Sequence, residues 1–157
     1  MSRRSTIAVL AAAGGALAVA VVVGQPHASA GTPGTLKVKE SVTSFATHDL
    51  GAKGVSVGDR FAFKTLLRDG KGATLGIGGA DCMRVSGTSD NKGLLNCVET
   101  FRLPGGDVVA SGLYDLAAKT NRWPIVGGTG RYRGASGQID FVTVNATTFA
   151  DTFRFGR

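Results

Sequence analysis

The sequence predicts an all-β fold, a single closed and mainly antiparallel barrel of eight strands. Three observations predict it. Glycine is abundant, at 24 of 157 residues, and each interior glycine costs a helix up to about 1 kcal/mol relative to alanine. The segments between the glycines are short and alternate apolar with polar residues, as half-buried strands do. No helical segment is long enough to cover an open sheet, and closure into a barrel removes the unpaired edges.

Each strand is expected between turn-forming residues. Segment 35–42 alternates strictly, and segment 60–68 places Phe61, Phe63 and Leu67 on one face before the Asp69-Gly70 turn. The remaining strand candidates show the same alternation more weakly and are residues 43–50, 74–86, 93–103, 107–116, 123–126, 138–145 and 147–155. Only residues 116–119 are a candidate helix start, and no helical pattern extends them. The barrel is therefore expected over roughly residues 35–155.

The first 30 residues have the pattern of a secretory signal peptide. Arg3 and Arg4 precede an uncharged run over 7–23 and a small-residue cleavage motif, Ala28-Ser29-Ala30. A membrane anchor is the alternative, but the run is 17 residues long and a span needs roughly 20. Cleavage leaves 127 residues, enough for one domain and too few for two. We expect a secreted protein whose barrel domain occupies residues 31–157.

The charge balance excludes several partners. The signal contains two of the 18 basic residues and none of the 11 acidic ones, so the remaining chain has a net charge near +5. Its basic residues are scattered, without the clustered or aromatic-interleaved pattern of a nucleic-acid surface. We expect a solvated basic surface, no nucleic-acid partner and no stable membrane insertion after cleavage.

Familiar catalytic and cofactor motifs are also absent from the sequence. His48 is the single histidine after residue 30, there is no G-x-S-x-G, and no Cys/His spacing fits a metal site. The Gly127-Gly128-Thr129-Gly130 segment lacks the Lys-Ser/Thr of a phosphate-binding loop, and a tight turn explains its glycines. No cofactor and no metal are therefore predicted.

The two cysteines fit one hairpin. If Ser89 and Asp90 form its centre, Cys82 and Cys97 lie directly opposite each other on antiparallel strands. A disulfide persists in an exported protein, and the facing positions make it sterically feasible. The alternative is a pair of reduced cysteines with one facing a pocket. The weak point is a bulge at Gly78-Gly79, which would turn Asp81 inward in place of Cys82.

Three carboxylates interrupt apolar faces of the predicted strands. Glu40 lies among Leu36, Val38 and Val42, Glu99 shares a face with Cys97 and Phe101, and Asp151 lies among Phe149, Phe153 and Phe155. Such a carboxylate facing a barrel interior is a candidate acid or base with a raised pKa. The alternative for each is pairing with an inward Arg or a backbone donor, or a place at the rim.

A resemblance emerges from the segment Trp123-Pro124-Ile125-Val126-Gly127-Gly128-Thr129-Gly130-Arg131-Tyr132-Arg133-Gly134-Ala135-Ser136-Gly137. It resembles the signature of the allene oxide cyclase and dirigent-protein barrels, an apolar strand and a GGTG turn followed by an aromatic and small residues. Val57-Gly58-Asp59 to Phe63, and Leu75-Gly76-Ile77 to Cys82, are similar to the GD…F and IGI…C segments of the cyclases. A GRYxG segment also resembles bacterial spirotetronate cyclases. The resemblance implies a barrel of the allene oxide cyclase/dirigent type.

The resemblance also bears on individual positions. Glu40 stands where the plant cyclase has an acidic residue, and Cys82 where it has a pocket cysteine. Val42 and Thr65 stand where the cyclase has asparagines that bind the epoxide oxygen and its water, and the dirigent Asp-Asp-Pro segment is missing near residues 64–66. Homologous barrels associate through outer faces, and the outward Leu66, Val142 and Val144 predict a homodimer or homotrimer.

Two classes of function remain open. The first is an exported barrel that binds an apolar small molecule, or a dirigent-like scaffold, with no chemistry of its own. The alternative is a cofactor-independent cyclase or isomerase for an apolar unsaturated substrate, in which Glu40 or Glu99 polarises an oxygen. The expected catalytic residues are Glu40 and Glu99, and the expected ligand-binding residues, which point inward or lie near the mouth, are Phe61, Phe63, Thr65, Cys82, Phe101, Tyr114, Trp123 and Asp151. Arg131 and Arg133 share a face near the glycine turn and are expected at a solvated rim, with contact to an anionic substituent as the alternative.

Overall fold

In the computed structural model, which describes residues 34–156, the chain forms a closed barrel. Each strand pairs antiparallel with the next, and the last pairs with the first. The predicted eight-stranded barrel is thereby confirmed, while the predicted signal peptide lies outside the described residues. The strands are β1 (Gly34–His48), β2 (Arg60–Arg68), β3 (Thr74–Arg84), β4 (Leu94–Leu103), β5 (Gly106–Asp115), β6 (Thr120–Gly128), β7 (Gly137–Asn145) and β8 (Thr148–Phe155).

Two strands differ from the expectation. Residues 35–42 and 43–50 belong largely to one strand, β1, because a register shift between Val42 and Ser44 bends the chain without ending the strand. The short segment expected at 123–126 is the middle of β6, which pairs with β7 from Thr120 to Ile125. Residues 116–119 form a turn between strands and not a helix start.

The glycine-rich segment after β6 is a tight turn, as predicted. Gly130, in the left-handed region at φ 56°, opens a three-residue 3₁₀ turn that ends at Tyr132, and Gly134 has φ 72°. Glycine adopts these angles without steric cost. Within residues 34–156, no helix has the length and apolar character needed to cross a membrane.

The barrel interior has two ends with different contents. At one end, which we call the packed end, Phe101 meets Phe153 edge to face with ring centroids 4.9 Å apart. Leu67, Val108 and Ile139 are fully buried there. At the other, which we call the open end, all eight strands carry inward residues around an accessible cavity. The strand register fixes which side chains reach each end, and it therefore positions the candidate site.

Candidate functional site

A cavity of about 730 Å³ occupies the open end of the barrel. Most of its wall is apolar, and aromatic side chains from six of the strands contribute to it. These are Phe45, Phe61, Phe63, Tyr114, Trp123, Phe141 and Phe149. Small-molecule sites are commonly clefts of about 300–1,000 Å³ with apolar walls and a few polar groups. The cavity therefore has the size and lining of a ligand site.

A disulfide crosses the wall between β3 and β4. Cys82 is directly opposite Cys97 in the antiparallel register, and the two sulfurs are bonded. The predicted pairing is present, and the register runs evenly past Gly78-Gly79 without a bulge. Asp81 consequently points outward, where it forms an ion pair with Arg60. Both cysteines are buried and line the cavity, so the cross-link stiffens the wall.

Three carboxyl groups meet at the inner limit of the cavity. Glu40 on β1 and Glu99 on β4 line it, and Asp151 on β8 lies next to them but outside the lining. All three are almost completely buried. Oxygens of each have no hydrogen-bond partner among the described residues. Unpaired buried carboxyls of this kind cost stability and are typical of functional sites.

Gly78 on β3 leaves the space that this cluster occupies. A Cβ at that position would lie 2.9 Å from Glu99 Oε1 and 3.4 Å from Glu40 Oε1, and closer still to Thr65 Oγ1. The three oxygens therefore converge on a strand position that has no side chain. Thr65 is fully buried and, like Asp151, does not line the cavity.

Burial and mutual repulsion keep two of the carboxyls protonated. Burial foremost, and then the nearby charge of Glu40, raises the pKa of Glu99 well above its ordinary value. The same causes raise the pKa of Asp151 to about 10. Like charges held this close in a desolvated site cannot all ionise at neutral pH. The cluster therefore presents neutral acids beside Glu40, and Glu99 is the neutral acid that faces the cavity.

Tyr114 on β5 and Trp123 on β6 form the part of the cavity wall that follows β4 around the barrel. The Trp123 indole donates a hydrogen bond to the Leu113 carbonyl at 2.8 Å. Its ring packs against Gly112, where any Cβ would collide with the indole. Tyr114 meets the Trp123 ring edge to face at 6.2 Å, and its pKa is raised chiefly by burial. Trp123 is thus a buried wall residue, not the mouth residue that its place in the sequence suggested.

The mouth is organised by the segment between β1 and β2. The Asp59 carboxylate accepts hydrogen bonds from the backbone N–H groups of Ser56, Leu50 and Gly51 and from the Ser56 hydroxyl. These bonds, that from the Ser56 N–H foremost, lower the pKa of Asp59. The loop is therefore held in place by charge-assisted hydrogen bonds to the Asp59 carboxylate.

The structure brings together most of the residues predicted for the site. Seven of them line the cavity: Glu40, Glu99, Phe61, Phe63, Cys82, Tyr114 and Trp123. Three do not, and they are Thr65, Phe101 and Asp151. Phe101 belongs to the packed end, where it contacts Phe153. Arg131, at the alternative anion contact, lies over the Tyr132 ring and does not line the cavity.

Several lining residues were not predicted from the sequence, among them Phe45, Arg84, Phe141 and Phe149. The register shift after Val42 reverses the alternation of β1 and turns Phe45 toward the cavity. The sequence signal of such a bulge is an aromatic residue at a position where the alternation of the strand predicts an outward polar residue. Phe149 pairs with Glu40 and shares its inward face. Arg84 has the parity of Cys82, so its inward position followed from the same register.

Comparisons with known proteins agree with this architecture. The family model described as "Allene oxide cyclase barrel like domain" matches residues 39–153. No curated protein matches the chain. Among solved structures, a pyocyanin demethylase is similar at 26% identity and TM-score 0.69, over 78% of this chain and 99% of its own.

Two further structures show the same fold at lower identity. An exo-specific intermolecular Diels-Alderase is 18% identical with TM-score 0.64, over 80% of this chain and 98% of its own. A pterocarpan synthase dirigent protein is 14% identical with TM-score 0.63, over 85% of this chain and 96% of its own.

Proposed function

The chain belongs to the allene oxide cyclase barrel-like family, as the resemblance of its glycine-turn segment predicted, and from this premise we propose that it binds an apolar small molecule in the open end. The observation that carries the proposal is the cavity of about 730 Å³, whose aromatic wall ends on Glu40 and Glu99. Apolar walls supply affinity, and a few fixed polar groups orient the ligand.

Glu99 determines which polar group the ligand needs at this end of the cavity. Because its raised pKa keeps it protonated at neutral pH, Glu99 can donate a hydrogen bond, which an ionised carboxylate cannot do. A ligand oxygen with free lone pairs, such as a carbonyl, ether or epoxide oxygen, is the matching group. The proposed ligand is therefore an apolar molecule with a neutral oxygen near Glu99.

A cofactor-independent cyclase or isomerase is the second candidate. The supporting observation is the contact between a neutral acid, Glu99, and Glu40, whose charge raises the pKa of its neighbour. Two adjacent carboxyl groups can serve as proton donor and proton acceptor within one cavity. The aromatic wall would hold a flexible substrate in its reactive conformation. Similarity to a pyocyanin demethylase and a Diels-Alderase supports chemistry in a barrel of this kind.

Export and self-association complete the proposal. Residues 1–30 are proposed to direct secretion, and the Cys82–Cys97 disulfide supports an oxidising destination. Apolar side chains exposed on the outer barrel, among them Val98, Leu113 and Val144, support association into a homodimer or homotrimer. Sedimentation as a monomer at high micromolar concentration would contradict the second point.

Fluorescence titration with N-phenyl-1-naphthylamine, a neutral apolar probe, tests the binding proposal. Val42 lines the cavity, whereas Val126 is 58% exposed on the outside of β6. Val42→Trp fills the cavity and should weaken binding about tenfold or more, and Val126→Trp should leave it unchanged. Equal binding by both variants, or none by the wild type, contradicts the proposal.

Glu99→Gln separates binding from chemistry. The amide keeps the size and can still donate a hydrogen bond, but it cannot transfer a proton. If the barrel only binds its ligand, the affinity of this variant should be about that of the wild type. If the barrel is a cyclase or isomerase, turnover of candidate unsaturated substrates should fall about 10²-fold or more while binding persists.

A further inference from the structure

Arg84 is a buried cation at the open end of the cavity, far from the carboxyl cluster. Only 1% of its surface is exposed, yet it lines the cavity. Among residues 34–156 it forms no ion pair with any carboxylate. A buried charge is normally paired. An unpaired one in a cavity wall points to a ligand.

The contacts of Arg84 fix the guanidinium and leave one edge of it free. Its Nη1 donates hydrogen bonds to the carbonyl oxygens of Ser89 at 3.1 Å and Lys92 at 3.2 Å. Its guanidinium carbon lies 5.4 Å from the centre of the Phe61 ring. The Nε atom is fully buried and has no hydrogen-bond partner among the described residues. Nη2 likewise makes none of the side-chain hydrogen bonds found in this range.

The Nε and Nη2 edge of arginine carries two parallel N–H groups that match two oxygens of one anion. Because Nη1 and Phe61 hold the group in place, little side-chain freedom remains to be lost on binding. We propose that Arg84 is an oxyanion-binding residue and that the ligand carries a carboxylate or another two-oxygen anionic group at this end. This inference rests on the proposed binding function and adds the charge of the ligand.

The nearby acidic side chains leave this edge unpaired. Asp49, Asp59 and Asp90 also line this part of the cavity. Asp59 is engaged by three backbone N–H groups and a hydroxyl, and Asp49 accepts the Gly54 N–H at 2.9 Å. Asp90 forms no ion pair with Arg84 in the described range.

The register gives the length of the ligand. Arg84 is paired with Leu95, four residues from Glu99 on the same face of β4. At about 3.3 Å per residue, these positions are about 13 Å apart along the strand. The disulfide and the Phe61 and Phe63 rings lie between them. The geometry therefore fits an elongated apolar molecule with an anionic group at the Arg84 end and a neutral oxygen at the Glu99 end.

Two probes that differ only in an anionic group test the inference. 8-Anilinonaphthalene-1-sulfonate has the skeleton of N-phenyl-1-naphthylamine plus one sulfonate. In the wild type the sulfonate probe should bind about tenfold more tightly, as one charge-assisted contact predicts. Arg84→Gln should remove this preference while affinity for the neutral probe stays within about twofold. Arg102→Gln, a surface control with a 72% exposed side chain, should leave both affinities unchanged.

The outcomes separate the two proposals. If neither probe binds the wild type, the binding function itself fails. If both bind equally, or if Arg84→Gln keeps the preference, the oxyanion site is wrong and the binding function stands. Should Arg84→Gln fail to fold, the wild-type ratio still decides, and Arg84→Lys provides the second variant. Lysine keeps the charge but not the fork, so an intermediate preference is expected, and a full one would contradict recognition by the Nε–Nη2 edge.

Discussion

At the packed end of the barrel, Phe101 and Phe153 meet with Leu67, Val108 and Ile139 in a region without access to solvent. At the open end, a cavity separates side chains of similar size, and the wall is held by a disulfide, an indole hydrogen bond and a loop folded onto Asp59. The first end is stabilised by close packing. The open end is less closely packed because it encloses a cavity, and it is stabilised instead by the disulfide and by hydrogen bonds.

The carboxyl cluster lies where these two ends meet. Glu40 and Glu99 face the cavity, and Asp151, paired with Val38 and Phe141, lies just outside its lining. The apolar surroundings that stabilise the packed end also desolvate the carboxyls and raise the pKa values of Glu99 and Asp151. The difference between the two ends therefore creates the chemistry at their boundary.

The largest expected effect compares the same truncation at both ends. Phe101 is fully buried and Phe45 is 60% exposed at the cavity mouth. Phe101→Ala should lower the free energy of unfolding by about 3–5 kcal/mol because it leaves a cavity in close-packed surroundings. Phe45→Ala should cost less than about 1 kcal/mol. Urea denaturation of both variants measures the difference, and similar losses would show that the open end is packed as tightly as the other.

The disulfide is the next test, since it replaces packing at the open end. Cys82→Ala/Cys97→Ala should lower the free energy of unfolding by about 2–4 kcal/mol. Wild-type protein in reductant is the matched control and should lose a similar amount, while the reductant should not affect the double variant. Two reactive thiols in unreduced protein from an oxidising compartment would contradict the bond itself.

Much of the barrel could be predicted from the alternation of apolar and polar residues and from the position of the turn between β3 and β4. The centre at Ser89 and Asp90 correctly placed Cys82 opposite Cys97. The alternation also gave the barrel, since every strand between turns buries one face. A strand-level pattern carries this information because neighbouring side chains point to opposite faces.

Three features depended on more than the pattern. The bulge after Val42 changes the parity of β1, so strict alternation could not place Phe45. Whether an inward side chain packs in the core or lines the cavity depends on how closely the opposite strands approach. Phe101 packs against Phe153 and therefore belongs to the packed end. The carbonyl partners of Arg84 come from the turn between β3 and β4, whose backbone geometry the sequence pattern leaves open.

The pH dependence of stability tests the desolvation at the boundary. Folded Asp151 holds its proton where the unfolded chain has lost it, because its pKa rises from 3.8 to about 10. Its stabilising contribution is therefore complete below about pH 4 and is lost as the pH rises toward 10. Glu99 acts in the same direction. The free energy of unfolding of the wild type should fall steadily from pH 5 to pH 8, by up to about 1.4 kcal/mol per pH unit for each group that keeps its proton only in the folded state.

Asp151→Asn should remove much of that slope and be more stable than the wild type at pH 8, because the amide cannot ionise. Asp81→Asn, on the outer face with a half-exposed side chain, should keep the wild-type slope. Urea denaturation at several pH values measures both. A wild type whose stability rises between pH 5 and pH 8 would mean that water reaches the cluster and that the two ends are not separated there.

The smallest expected effect compares two adjacent glycines of β3. A Cβ at Gly78 would meet Thr65 Oγ1 and Glu99 Oε1, whereas one at Gly79 meets nothing within 4 Å. Neither residue has a positive φ, so steric crowding alone distinguishes them. Gly78→Ala should lower the free energy of unfolding by about 1–3 kcal/mol, as overpacking does, and Gly79→Ala should change it by at most about 0.5 kcal/mol. Because the Cβ would push Glu99 toward the cavity, Gly78→Ala should also weaken binding of the neutral probe. If both alanine variants behave alike, the boundary cluster has room to rearrange, and it belongs to the open end alone.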